Sequence, residues 1–331
     1  MNIGAILTLA SGQNESEARD SNASGSKQFG SRSLGTIDVL GASLLQRTRH
    51  KLEQLGSLPP RVLTESNGSS QFLPPRSTRS TRFVEEWEQA VAEFVQGGAE
   101  ILILGRVSAY TDINYRALLK YHVNNKSVLT QAYSGAESID IAVVSTKLLR
   151  NGNGNGYRST LSAAIPQQTK FSYSGYLNRL RNMQDVHTLM QDALHQRCGL
   201  QPVGREFSQG VWLGDGAELD AAALMSHPVY IGARSRIEAG CAITSASSIE
   251  RDCHIDCGTT VRDSLVLPQT YIGLGLDLSR AIAAPEVLFH IDRNIEINIR
   301  DARLIGKTTR SLPFLSSMGS FITDTWSEWT Q

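Results

Sequence analysis

His227 and His254 fall in a stretch where aliphatic residues recur every six positions, and neither occupies an aliphatic position. Both read as turn residues able to project outward. An imidazole at the edge of such a repeat is suited to general-base work, because it takes and gives protons near neutral pH. His122, His187 and His195 lie in helical patterns and read as surface or packing residues. Cys253 and Cys257 are four apart, but neither Cys198, Cys241 nor a nearby histidine pair completes a zinc-like spacing, so no metal site is expected. Cys241 and Cys253 instead fit small inward corners as buried, reduced thiols, which points to a cytoplasmic compartment.

The element that must position those histidines is the six-residue series itself. It runs Leu213, Leu219, Met225, Ile231, Ile237, Ile243, Ile249, Ile255, Val261, Leu267. Four residues after each comes a mostly small side chain: Ala217, Ala223, Val229, Ser235, Cys241, Ser247, Cys253, Thr259, until Leu265 breaks the rule. A period of six fits neither a helix nor a single strand, and a sandwich would place turns about every 8–12 residues. A parallel β-helix explains it, each unit being one short strand plus a turn and three units closing a coil. Roughly three coils cannot seal their own ends, so capping partners are expected on both sides. Residues 202–212 are placed to close one end, and the alternating run 287–299 the other.

Before the repeat the pattern changes. Residues 3–9 read as a central parallel strand, 44–55 as a helix closed by Gly56, and 83–96 as an amphipathic helix ended by Gly97-Gly98. Residues 101–105 read as a buried strand, 113–123 as a helix, and 128–132 and 139–144 as further strands, an alternation that predicts a doubly wound α/β layer. Residues 11–33 are Ser, Gly, Asn and charge, and read as a flexible loop. Residues 173–198 carry helical spacing and read as a helical linker. The resulting division is an α/β domain at 1–172, a linker at 173–204, the repeat at 205–285, and a β cap with an aromatic tail at 286–331. The tail's Phe314, Phe321, Trp326 and Trp329 are expected to dock on the core.

Lys and Arg total 32, as do Asp and Glu, so nothing drives binding to nucleic acid or anionic membrane. No apolar run is long enough to span a bilayer, and MNIGAILTLA lacks the basic start of a secretory signal.

The stretches PVGREFSQGVWLGDGAEL, HPVYIGARSRIEAGCAI and SSIERDCHIDCGTTVRDSLVLPQTYIG resemble the C-terminal coil of sugar-nucleotide pyrophosphorylases, nucleotidyltransferases of the GDP-mannose and glucose-1-phosphate type. ILILGRVSAYTDINYRALLKYHVNN and LGTIDVLGASLLQRTRHKLEQLG are similar to that family's metal-site strand and its early loop and helix. The resemblance implies a Rossmann-like α/β catalytic domain followed by a left-handed β-helix. It also implies nucleotide phosphates cradled by a glycine-rich loop, and magnesium held by an aspartate.

Two departures matter. Where the family carries G-G-x-G-T-R, only Ser11-Gly12 remains of the glycine turn, and Arg19 and Lys27 are the nearby cations. Where the family's strand ends in Gly-Asp, this chain has Gly105-Arg106. Exchanging carboxylate for guanidinium turns attraction for a cation into repulsion, about 4 kcal/mol per unit charge at about 4 Å and a dielectric near 20, and twice that for a divalent ion. Asp112, six residues on, reads as a helix N-cap rather than a substitute ligand. A sugar-phosphate or nucleotide pocket remnant is therefore expected around Ser11, Gly12, Gly105, Arg106 and Asp112. Magnesium is expected only if nucleotidyl transfer is retained.

Three readings stay open: a catalytically degenerate relative that binds sugar nucleotide or sugar phosphate and assembles into homo-oligomers, an active pyrophosphorylase with atypical ligands, and a hexapeptide-repeat acyltransferase using His227 or His254.

Overall fold

The computed structural model describes residues 2–10, 33–65, 73–74, 81–150 and 156–308. Ser11, Gly12, Arg19, Lys27 and the aromatic tail lie outside the described residues. In the first half the elements run β1 (Ile3–Ala10), β2 (Asp38–Val39), β3 (Ala42–Ser43), α1 (Leu44–Glu53), β4 (Arg61–Glu65), α2 (Thr81–Gln96), β5 (Ile101–Arg106), β6 (Ala109–Thr111) and α3 (Tyr115–Asn124). They continue with β7 (Leu129–Ser134), β8 (Glu137–Ser145), α4 (Thr146–Arg150), α5 (Tyr157–Ala164), β9 (Thr169–Ser172), β10 (Leu177–Arg179) and α6 (Met183–Leu194).

The main sheet has the order β4-β1-β5-β8-β7-β9. β1 pairs in parallel with β4 and β5, as its apolar run predicts for a central strand. β8 runs antiparallel to both β5 and β7, so the layer is mixed. Strand alternation divides β1 between two cores: Ala5, Leu7 and Leu9 enter one, while Ile6 enters the other with Leu102 and Leu104 of β5. α2 presents Phe83, Trp87, Ala90, Val91 and Phe94 to that second core at helical spacing. α1 starts on a reciprocal capping box, Ser43 accepting from Gln46 N while the Gln46 side chain accepts from Ser43 N.

The stretch expected as one helix over 173–198 divides. Leu177–Arg179 pairs antiparallel with β6, and the helix begins at Met183, capped by Asn182. Leu177 and Leu180 fit a helical and an extended pattern equally, so the local spacing does not separate them. α6 then buries Val186, Leu189, Met190 and Ala193 in the first core, which continues into the second half through Tyr230, Ala246, Leu265, Leu267 and Ile282.

From residue 205 the chain forms three sheets, of eight, five and four strands, and visits them in rotation. Leu213, Ile231 and Ile249 stand in parallel register in one sheet, Leu219, Ile237 and Ile255 in the next, and Met225, Ile243 and Val261 in the third. Each partner lies three six-residue units away. The next circuit is one residue shorter, because Ile249 pairs with Val266, Ile255 with Ile272 and Val261 with Leu278. The expected inward residue Leu267 is thereby corrected to Val266. Val266 joins the interior of the three sheets, while Leu265 and Leu267 on either side face the core shared with α6.

The small corner residues tie one circuit to the next. Ser235 Oγ donates to Glu250 O at 2.6 Å, Thr259 Oγ1 to Gly273 O at 2.6 Å, and the Cys241 and Cys253 thiols lie 3.1 Å from the carbonyls of Asp256 and Leu267. Both thiols are buried, free of disulfides and pushed up in pKa by desolvation, as expected for inert cysteines. Gly232 allows close backbone stacking: a Cβ there would lie 2.5 Å from Glu250 C.

The two ends differ. The chain past Ala281–Ala284 folds back as Val287–His290 and Ile295–Asn298, an antiparallel pair extending the eight-stranded sheet. At the other end Arg205–Ser208 pairs with Val211–Leu213, but its four residues are exposed, and Leu219 and Met225 stay half-buried. The expected closure by residues 202–212 is thus incomplete.

Besides the shared core, a buried carboxylate ties the two halves together. Glu250 Oε1 accepts from Leu40 N at 2.7 Å and from Ser248 Oγ at 2.7 Å, and Oε2 accepts from Gly41 N at 2.8 Å. Leu40 and Gly41 both have left-handed backbone, φ 54° and 92°, which aims two successive N–H groups at the carboxylate. Beside it, Arg251 Nε donates to Asp38 at 3.0 Å, and Arg47 donates to the carbonyls of Val39 and Leu40. Burial raises Glu250 to a pKa of about 7.

Candidate functional site

β5 ends in Gly105 and Arg106, the pair at which the resemblance implies a magnesium-holding aspartate. Gly105 lies in register with Leu7 of β1 and Ile141 of β8, and a Cβ there would sit 3.2 Å from the Leu7 side-chain methyl Cδ2. Arg106 follows, paired with Thr8, and lines the cavity at the strand ends. Its Nε is buried and has no hydrogen-bond partner among the described residues. The cavity is ≈ 30 Å³ and is also lined by Arg47, Lys51 and Tyr110. That is room for about one water molecule.

The other groups around it are already engaged. Arg47 donates to four carbonyls, those of Val39, Leu40, Ala42 and Gln201. Lys51 lies over the Tyr110 ring at 5.4 Å, and burial lowers its pKa. Asp112 accepts from Tyr110 Oη at 2.6 Å on one oxygen and from Gly199 N at 2.9 Å on the other. It therefore fastens the α/β domain to the segment after α6. The N-cap of α3 is Asn114, whose Oδ1 accepts from Ala117 N at 3.1 Å, so the expected capping role of Asp112 is corrected. Asn114 wins because it stands directly before the first helical residue.

One carboxylate does stand beside Arg106. Asp140 on β8 is buried, with left-handed backbone at φ 56°. Desolvation raises its pKa, opposed by the charges of Arg106 and Arg179 and by hydrogen bonds from Ser108 and Ser138. An aspartate inside the apolar run SIDIAVV was a visible signal that the sequence reading did not use. The charges of Arg106 and Arg179 act on this carboxylate, and Ser108 Oγ donates to it at 3.4 Å. Among the described residues no three His, Cys, Asp or Glu groups gather as a metal would require. The residues present do not fit magnesium: the strand-end ligand is a cation, and both oxygens of Asp112 already accept protein hydrogen bonds.

The structure does not bring His227 and His254 together. His254 sits on a strand, His254–Ile255, rather than on a turn, between Arg236 and Tyr271 of neighbouring circuits. Its Nε2 is 3.0 Å from Glu238 Oε1, which also accepts from Arg236 Nε at 2.7 Å. The ring meets Tyr271 edge-on at 5.5 Å, and Tyr271 Oη donates to Asp256 at 2.7 Å. His227 is exposed, as expected of a turn residue, and lines a second cavity of ≈ 490 Å³ against α6. His195 lines the same cavity, and His187 is buried with Nε2 2.9 Å from Asp263 O. His122 is buried too: Ser145 Oγ donates to Ser127 O and so accepts from Nε2, which leaves Nδ1 to accept from Thr130 at 2.8 Å. Burial lowers the His122 pKa to about 4.

Among the described residues, no helix is long and apolar enough to cross a membrane. The chain matches no protein-family model and no curated protein.

Proposed function

We propose that this chain is a nucleotidyltransferase-like protein of sugar-nucleotide or exopolysaccharide synthesis that lacks metal-dependent transfer and acts as a cytoplasmic binding or assembly subunit. In this reading residues 1–172 form the degenerate catalytic body. The three-sheet region is a left-handed β-helix of hexapeptide repeats whose flat faces support a homo-oligomer. Arg106 is the observation that carries it. A guanidinium at the end of β5, lining a cavity of ≈ 30 Å³ near the buried Asp140, repels the cation that transfer needs. The mixed α/β layer and the rotation through three sheets are compatible with the α/β-plus-β-helix architecture that the reading assumes. Calorimetric titration of the full chain with GDP-mannose and UDP-glucose tests the binding role. The expected result is saturable binding of equal affinity with magnesium or with EDTA, and binding that requires magnesium counts against the proposal.

One observation favours a second reading, acyl transfer. His254, half-buried on the middle strand of the five-stranded sheet, is oriented by Glu238, as a general base must be. Acyl-CoA consumption that disappears in His254→Ala would support it over the first.

A further inference from the structure

A groove of ≈ 490 Å³ lies between the last turn of α6 and a column of stacked corners, which the chain crosses at His227-Pro228, Ser245-Ala246, Arg262-Asp263 and Ser279-Arg280. Its volume falls in the range of small-molecule sites, about 300–1,000 Å³.

Its wall carries two guanidinium groups and one carboxylate. Asp263 is the one carboxylate lining it, and both of its oxygens are occupied. Oδ2 accepts from Arg280 Nη1 at 2.6 Å, while Oδ1 accepts from the Gln191 amide and lies 3.1 Å from His187 Nε2. Arg280 is clamped in turn by Asp292, with its Nε at 2.8 Å from both carboxylate oxygens. Arg262 has no such partner. Its nearest carboxylate, Asp277, stands at 3.8 Å, and both side chains are more than half exposed, an ion pair of little strength. His195 Nδ1 donates to Gln191 O at 2.9 Å, which makes Nε2 of the neutral ring an acceptor and leaves His195 no donor for an anion. Among the described residues no hydrogen bond or ion pair engages the side chains of His227, Ser245 or Ser279. One weakly paired guanidinium, the His227 imidazole and two hydroxyls thus share a recess whose one lining carboxylate is satisfied by the protein.

We infer that this groove binds a small phosphomonoester, its phosphate taken by Arg262 with His227. A phosphate offers only acceptor oxygens in a planar-fork geometry that guanidinium matches, and a wall of uncommitted donors is what it needs. The carrier of the phosphate is polar and non-aromatic, because no aromatic ring other than the two imidazoles lines the groove to stack a nucleobase. This goes beyond the proposed function, since it places a ligand away from the strand ends and holds whether or not the strand ends bind a nucleotide.

Titration calorimetry on the full chain tests it, with glucose 6-phosphate, AMP and inorganic phosphate as probes. Glucose 6-phosphate is expected to bind saturably and more tightly than the other two. Arg262→Gln is expected to weaken it about tenfold or more, the loss of one charge-assisted contact, and His227→Gln by a smaller factor. Arg106→Gln, in the strand-end cavity, is expected to leave this affinity unchanged. Urea midpoints equal to the parent's confirm that the exposed substitutions leave the fold intact. Absence of saturable binding overturns the inference, as does a loss seen with Arg106→Gln and not with Arg262→Gln. Tighter binding of AMP overturns the assignment of a non-aromatic carrier.

Discussion

Glu250 and His122 are both buried, both shifted by desolvation, and shifted in opposite senses relative to the proton. Glu250 holds its proton to about pH 7 in the folded chain, against 4.5 for an ordinary glutamate. Between those values the folded state binds one proton more than the unfolded state, so this contribution to stability falls as pH rises. His122 titrates near 4 instead of 6.5. Between those values the unfolded state binds one proton more, so this contribution rises with pH. The windows overlap from pH 4.5 to 6.5, two units at about 1.4 kcal/mol each, or about 2.7 kcal/mol of opposite sign. In the parent chain the two slopes nearly cancel; single variants separate them. Urea unfolding at pH 4.5, 5.5 and 6.5 gives stability from the midpoint and slope. The difference between parent and Glu250→Gln is expected to shrink by about 2.7 kcal/mol across the window, and that between parent and His122→Gln to grow by about as much. Two flat differences, or two of the same sign, would refute the burial argument at both sites.

Two further outcomes follow from packing. Asp112→Ala leaves Gly199 N and Tyr110 Oη without their acceptor and is expected to cost about 1–3 kcal/mol in urea unfolding, with no change in any response to magnesium. Ile243→Ala, fully buried between Met225 and Val261, is expected to cost about 2–5 kcal/mol, whereas Met225→Ala at the half-buried end is expected to cost clearly less.

The repeat was legible because a fixed period of six leaves its mark on every circuit from Leu213 to Val261. The slip from Leu267 to Val266 was not, because Leu265, Val266 and Leu267 are all apolar and all buried. Hydropathy cannot say which of two cores each one enters. Arg106 was legible as a cation at the end of an apolar strand, and it lines the strand-end cavity. Asp140 was missed because its left-handed backbone and its two guanidinium neighbours come together only when β8 lies beside β5. Glu250 was missed for a similar reason. Following an inward isoleucine, it reads as an outward charge, and its backbone donors, Leu40 and Gly41, stand 210 and 209 residues away in the chain.

Pyrophosphate release tests the account's central claim most directly. The full chain is incubated with magnesium, a panel of nucleoside triphosphates and glucose 1-phosphate or mannose 1-phosphate, and pyrophosphate is followed continuously. With Arg106 at the end of β5, the expected rate is indistinguishable from the protein-free control for every pair. Magnesium-dependent release that requires a sugar 1-phosphate would contradict the account and restore the α/β domain as a working transferase.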